Sequence, residues 1–129
     1  MEIKIPNDIL YTEDHEWARK EEGKITEGIT DFAQSELQDI VFVELPEVGQ
    51  EVMQGDSIAT IEAVKTVTDF YAAVSGTIIE TNKELESKPE LINRDPYEDG
   101  WIVKIEMSEP AEIETLLEPS EYKKLLEEE

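Results

Sequence analysis

The chain has 129 residues, which is enough for one compact domain with a real core and short for two. Hydrophobic residues make up 39% and charged residues 34%, and 33 acidic against 11 basic side chains give a formal net charge of −22. This balance all but excludes a protein that binds the nucleic-acid backbone, because such binding depends on cationic side chains, and it disfavours anionic lipid.

Cysteine is absent and His15 is the single histidine. Structural disulfides, thiolate nucleophiles, cysteine-based zinc sites and multi-histidine metal sites are therefore excluded within one chain, and we expect no metal site. The N-terminus shows no signal-peptide pattern, and no run of about 18 apolar residues could span a bilayer. We expect a cytoplasmic protein that binds neither membrane nor nucleic acid.

The first part of the chain predicts an arm, a hairpin and a short helix. Residues 1–14 are polar and contain Pro and Asp, which predicts an arm lying over the body of the protein. Two strands over 17–20 and 24–28 flank a turn in which Gly23 adopts positive φ. A helix of two or three turns follows, with Asp31 as its expected cap and Gln34 completing a capping box.

From residue 40 onward the pattern is that of short strands separated by glycine turns. The predicted strands cover residues 40–45, 48–52, 55–62, 66–72, 77–82 and 101–107. The first of these is nearly all apolar, which predicts a strand covered on both faces. A long polar connection occupies 83–100.

The C-terminal residues predict helices. Ser108 is the expected cap of a first piece, and Ser120 is expected to begin a second one. Many short strands with helices at the ends predict a mainly β sandwich or barrel. We therefore expect a single domain over 1–129, with a β core over about 17–107 and a helical segment over about 108–129.

Lys65 lies near the middle of a stretch without Gly or Pro between two predicted strands, so we expect it at the tip of a hairpin. Such a position suits enzymatic acylation, since the amine is accessible and held in one orientation. An exposed lysine that protects a sheet edge from aggregation has the same pattern, and by spacing alone it is the more common case.

The order of short motifs along the chain resembles the H protein of the glycine cleavage system. The resemblance covers nearly the whole chain and is specific through its order and spacing rather than through any one motif. It is carried by residues 15–17, 28–34, 41–46, 48–49, 62–65, 74–76, 89–93, 95–97 and 100–101.

This resemblance implies a barrel-sandwich hybrid of the lipoyl-domain type, with a short helix in the N-terminal half and C-terminal helices. It also implies that Lys65 carries a covalently attached lipoyl group. One departure is visible, because the family commonly has Ser two residues before the lysine and this chain has Ala63.

The function implied is that of a non-catalytic carrier without catalytic residues of its own. Its lipoyl arm shuttles the aminomethyl group of glycine between glycine decarboxylase (P protein), aminomethyltransferase (T protein) and dihydrolipoamide dehydrogenase (L protein). A lipoate ligase or a lipoyl/octanoyl transferase would attach the arm, and we expect a monomer. We also predict that Glu16, in a loop over residues 15–17, and Asp69 line a cleft that shelters the arm, since a carboxylate suits a protonated amine. An ordinary solvated acid remains an equal alternative for both residues.

Several alternative functions compete with that of the carrier. An H-like protein that relays lipoate to other proteins stays open as an alternative. The lipoyl domain of a 2-oxo acid dehydrogenase usually has Asp-Lys-Ala, and a biotin carrier has Met on both sides of the lysine, whereas this chain has Val64 and Thr66. A small hydrolase needs a nucleophile and a tuned base in a pocket, neither of which is recognisable here. A structural adaptor domain is the remaining alternative.

Overall fold

The structure is a computed structural model that describes residues 2–129. Nine strands are present in this part of the chain. They are β1 (Leu10–Tyr11), β2 (Glu16–Glu21), β3 (Lys24–Ile29), β4 (Ile40–Glu44), β5 (Glu51–Val52), β6 (Ser57–Ala63), β7 (Val67–Tyr71), β8 (Gly76–Thr81) and β9 (Val103–Met107). The α-helices are α1 (Asp31–Leu37), α2 (Leu91–Arg94) and α3 (Pro119–Glu128), and 3₁₀ helices cover Lys83–Glu86 and Pro110–Thr115.

The strands form two antiparallel sheets with the core between them. The large sheet has the order β1-β2-β3-β9-β8-β5, and the small sheet has the order β4-β6-β7. Side chains from both sheets are fully buried in one cluster, among them Ile25, Ile61, Phe70 and Ile105. The predicted mainly β architecture, with one short helix in the N-terminal half and helices at the C-terminus, is confirmed.

A second, aromatic cluster fixes the N-terminal arm and the C-terminal helix to the large sheet. It contains Ile9, Tyr11, Trp17, Tyr97 and Tyr122. The rings of Tyr11 and Tyr122 stack at 4.5 Å between centroids and lie nearly parallel. The arm thus lies against the body as predicted, with β1 paired to β2.

The helix ends differ from the predicted ones. Thr30, not Asp31, caps α1, because its Oγ1 accepts a hydrogen bond from the Ala33 amide at 3.1 Å. Helix α3 begins at Pro119, one residue before the predicted Ser120 start, because Glu118 and Glu121 form a reciprocal capping box. The predicted cap at Ser108 is not formed. The 3₁₀ helix begins at Pro110, so the N-cap position is occupied by Glu109, whose side chain makes no capping hydrogen bond.

The prediction that strand 40–45 is covered on both faces was wrong. Val41 and Phe42 are about half exposed. A register shift between Ile40 and Phe42, where β4 pairs with β6, turns both of these side chains outward. The predicted strand over 48–52 is also reduced to Glu51–Val52, and the connection over 83–100 contains two short helices.

Gly76 allows β8 and β9 to approach each other closely. A Cβ atom at this position would lie 1.9 Å from the backbone oxygen of Glu106. We therefore expect Gly76→Ala to lower the free energy of unfolding, measured by urea denaturation, by about 3 kcal/mol. At Gly23 a Cβ would meet nothing within 4 Å, so Gly23→Ala should cost only ~1 kcal/mol through its positive φ of 72°. Equal losses in the two variants would contradict this account of the packing.

Candidate functional site

Lys65 lies at the tip of the hairpin that joins β6 to β7, and it is exposed. Two backbone hydrogen bonds make the tip rigid. The Ala63 amide donates to the Thr66 carbonyl at 2.7 Å, and the Val64 amide donates to the Asp39 carbonyl at 3.0 Å. The ion pairs found within residues 2–129 do not include Lys65. The amine of Lys65 is therefore accessible to a partner, and the backbone that carries it is held in one conformation.

A cavity of about 170 Å³ lies beside strand β7, close to this hairpin. Both predicted cleft residues, Glu16 and Asp69, line this cavity. Its other lining residues are Asp14, His15, Ile29, Phe32, Ala33, Glu36, Leu37 and Thr68. The structure thus brings the two carboxyl groups to one concave surface that also has an apolar wall.

The two carboxyl groups have very different surroundings. Asp69 is exposed on β7, and its Oδ1 accepts a hydrogen bond from the Ser57 hydroxyl at 2.9 Å. Glu16 is the first residue of β2 rather than a loop residue, and only 2% of it is exposed. Its oxygens accept hydrogen bonds from the Tyr71 amide at 2.7 Å and from the Thr12 hydroxyl at 3.0 Å. Burial raises the pKa of Glu16 to about 8.

Sequence reasoning missed Glu27, a second buried carboxyl next to Glu16. Glu27 is fully buried on β3, and its Oε1 accepts a hydrogen bond from the Ala73 amide at 3.0 Å. Its Oε2 has no hydrogen-bond partner within the described residues. Burial, with a contribution from Glu16, raises the pKa of Glu27 well above its ordinary value. The signal was present in the alternation of Ile25, Glu27 and Ile29, which places the glutamate on the apolar face of its strand.

His15 connects the cavity wall to the C-terminal helix. Its Nδ1 lies 2.9 Å from the Tyr122 hydroxyl, and its Nε2 lies 3.3 Å from a carboxylate oxygen of Glu129. The Tyr122 hydroxyl also contacts Thr30 Oγ1 at 2.8 Å. The backbone of His15 has a positive φ of 66°. These contacts give His15 a structural role, in which it connects the wall of the cavity to the C-terminal helix.

Two further properties bear on the class of site. Among the residues that the structure describes, no group of three or more metal-ligating side chains is placed to hold a metal ion. Over the same residues, every helix is too short or too polar to cross a membrane. The fold and the exposed lysine are those of a domain that presents a side-chain amine at a hairpin tip.

Comparisons with known proteins agree with this description. The family model described as "Glycine cleavage H-protein" matches residues 9–129. The glycine cleavage system H protein of Listeria monocytogenes serotype 4b is 55% identical over 125 residues, which is 97% of this chain and 100% of the relative. That of Halalkalibacterium halodurans is 50% identical over 97% of this chain and 98% of its own length.

A solved structure supports the same assignment. The crystal structure of a glycine cleavage system H protein from Mycobacterium marinum superposes with a TM-score of 0.85 at 40% identity, covering 93% of this chain and 97% of the other. The chain belongs to the glycine cleavage H-protein family. Its two facing sheets are consistent with the expected lipoyl-domain-type barrel-sandwich hybrid.

The two buried carboxyls predict an unusual dependence of stability on pH. Both groups bind a proton more tightly in the folded protein than in the unfolded chain. Their contribution to the free energy of unfolding is therefore fully present below their ordinary pKa of 4.5 and is lost as the pH rises. For Glu16 this loss is complete above about pH 8. Between pH 6 and 9 we expect the free energy of unfolding, from urea titrations, to fall by about 2 kcal/mol or more.

A matched pair of variants assigns this loss to the buried groups. Glu27→Gln removes one of the two titrations and should reduce the fall in stability. Glu44→Gln, at an exposed position of β4, should retain the full fall. A parent protein with constant stability over this range would show that neither carboxyl holds a proton at neutral pH.

Proposed function

We propose that this protein is the lipoyl-carrying component of the glycine cleavage system and that Lys65 is the attachment site. The observation that supports this most is the exposed Lys65 on a rigid hairpin tip in a chain of this family. An amide bond to the Lys65 amine removes its charge and needs no change in the backbone. The extended arm then moves through a limited volume, which raises its effective concentration at partner sites.

The residues present fit a lipoyl group. A cavity of about 150 Å³ holds a molecule the size of benzene, so the space of about 170 Å³ beside Asp69 suits a five-membered dithiolane ring. Thr68 and Asp69 follow Lys65 by three and four residues, which is roughly 10 to 13 Å along an extended strand. A lysine side chain lengthened by an octanoyl-sized acyl chain spans that distance.

When bound, the lipoyl group would supply a disulfide that opens as one of its sulfurs takes up the aminomethyl group of glycine, and handing that group on would leave the dithiol. The chain itself supplies position and shelter. The exposed carboxylate of Asp69 attracts a protonated amine at the mouth of the cavity. Glu16, at the inner wall, ionises more readily as a cation approaches, because a nearby positive charge lowers the pKa of a carboxyl.

The remaining features of the function follow from this proposal. The protein acts as a non-catalytic carrier that meets the glycine decarboxylase, the aminomethyltransferase and the dihydrolipoamide dehydrogenase in turn. We further propose that residues 1–129 act as one domain, as a monomer and in the cytoplasm. Because the chain has no cysteine, the sulfurs that undergo redox change belong to the cofactor alone, and no protein thiol competes for them.

The attachment site is tested by mass and by activity. We expect protein made in a lipoate-producing host to carry one lipoyl group on Lys65, and Lys65→Arg to stay unmodified. The parent should support carbon dioxide exchange by the glycine decarboxylase, and Lys65→Arg should not. A parent with an unmodified Lys65 contradicts the proposal, and a lipoylated parent that supports no exchange favours the lipoate-relay alternative.

The cavity is tested by the lifetime of the loaded protein. Asp69→Asn and Glu16→Gln should each release formaldehyde from the loaded carrier about 10 times faster, which corresponds to the loss of a charge-assisted hydrogen bond. Glu44→Gln serves as the control, because Glu44, like Asp69, is exposed on the small sheet but lies outside the cavity lining. Release rates equal to that of the parent would remove the corresponding carboxyl from the shelter.

A further inference from the structure

One hydroxyl group of the C-terminal helix contacts two walls of the cavity beside strand β7. The Tyr122 side chain is fully buried, and its hydroxyl lies 2.9 Å from His15 Nδ1 and 2.8 Å from Thr30 Oγ1. His15 lines the cavity directly. Thr30 is the N-cap of helix α1, which supplies another wall of the same cavity. Helix α3 therefore meets both walls at a single oxygen atom.

The contacts assign a direction to the hydrogen bonds of this network. The carboxylate of Glu129 lies 3.3 Å from His15 Nε2, and it favours a hydrogen on that nitrogen, because the other tautomer would turn a lone pair toward negative charge. In the neutral ring Nδ1 is then an acceptor, and the Tyr122 hydroxyl donates to it. The Tyr122 oxygen accepts from the hydroxyl of Thr30, whose Oγ1 accepts from the Ala33 amide. Tyr122 thus stands in the middle of the network.

His15 fixes the segment that carries two carboxyl groups of the cavity. Its ring packs on Phe32 at 4.7 Å between centroids, and its backbone oxygen accepts from the Thr30 amide at 3.0 Å. Its positive φ of 66° is an uncommon conformation that surrounding contacts must maintain. Asp14 and Glu16, on either side of it in the chain, both line the cavity. The placement of these two acids therefore depends on the conformation of His15.

We propose that Tyr122 is a positioning residue for the arm, and that through His15 and Thr30 it holds the two cavity walls at the separation that shelters a loaded lipoyl group. This inference rests on the proposed function, since it needs an arm on Lys65. Tyr122 is not among the residues that line the cavity, so it acts through the two residues that it contacts. Without its hydroxyl, Thr30 loses an acceptor and His15 Nδ1 loses a donor, and both walls move more freely.

Looser walls admit water to the loaded arm. Water then attacks the methylene carbon of the protonated aminomethyl group. The bonds from this carbon to sulfur and to nitrogen break, and the products are the free thiol, formaldehyde and ammonium. The rate of formaldehyde release from the loaded protein therefore measures how well the walls are held.

Tyr11 offers a matched control within the same aromatic cluster. The rings of Tyr11 and Tyr122 stack on each other, and both side chains are fully buried. The Tyr11 hydroxyl donates to the Pro6 carbonyl at 2.6 Å, and neither of these residues lines the cavity. Tyr11→Phe and Tyr122→Phe thus each remove a buried hydroxyl from one cluster, but only the second change touches the cavity walls.

The first measurement is formaldehyde release from the lipoylated proteins after loading. Release from Tyr122→Phe should be about fivefold faster than from the parent, which is the change expected for the loss of a neutral hydrogen bond. Release from Tyr11→Phe should stay within about twofold of the parent, because no hydrogen bond at the cavity is lost. Urea titrations of both variants show that the fold is intact.

The second measurement is the nitrogen NMR spectrum of the histidine ring, which needs no arm. Because His15 is the single histidine, its two ring nitrogens are assigned without ambiguity. We expect the Nδ1 signal to shift in Tyr122→Phe and to keep its parent position in Tyr11→Phe. A loss of global stability alone does not move this signal in the folded protein.

The outcomes distinguish this inference from the proposed function. Release at the parent rate from loaded Tyr122→Phe overturns the inference and leaves the carrier function standing. Equal acceleration in both variants overturns it as well, because a general loss of stability then explains the effect. An unchanged Nδ1 signal in Tyr122→Phe shows that the two side chains share no hydrogen bond and also overturns it. A parent that is never lipoylated at Lys65 overturns both.

Discussion

Two buried carboxyl groups hold the end of the lysine-bearing hairpin against the large sheet. Strand β7 ends at Tyr71, whose amide donates to Glu16, and the Ala73 amide two residues later donates to Glu27. Both glutamates lie on the β2–β3 hairpin, where Glu27 pairs with Ala18 and Glu16 with Ile29. The small sheet is thereby fixed to the large one at the point where the cavity opens, so the position of Lys65 relative to the cavity depends on these two bonds.

This arrangement has an energetic consequence, because both acceptors are removed from water. A buried carboxylate without a cation is costly, and none of the ion pairs in the described part of the chain involves Glu16 or Glu27. The pair avoids this cost by retaining protons, as the raised pKa values of both groups indicate. Glu16 accepts two hydrogen bonds and Glu27 accepts one, so Glu16 is the first of the two to ionise.

The elements that depend on neighbouring residues in the chain could be predicted from the sequence. The β2–β3 hairpin follows from Gly23, and the hairpin around Lys65 follows from two β-rich segments without room for a longer connection. The exposure of Phe42 could not be predicted from local sequence. An apolar strand has the same composition whether one or both of its faces are covered by the rest of the chain. The burial of Glu16 depends on Tyr71, which is 55 residues away in the sequence. Long-range pairing of this kind leaves no local pattern. Glu27 is the exception, since its position between two isoleucines of one strand face already indicated a buried acid.

The hairpin tip and the cavity divide the small sheet into two surfaces with different chemistry. At the tip, Val64 and Val67 lie on either side of Lys65 in the chain and are exposed, so the lysine is presented from an open surface. The cavity lies further along β7 and combines an apolar wall with carboxyl groups, which suits the far end of an arm once it has been attached. Because strand β7 contributes Val67 to the first surface and Asp69 to the second, a short rigid strand separates them by a fixed distance. A hairpin held at its tip by the Val64–Asp39 backbone hydrogen bond and at its base by the hydrogen bond from the Tyr71 amide to the Glu16 carboxyl maintains that separation, which a flexible loop carrying the same lysine would not do.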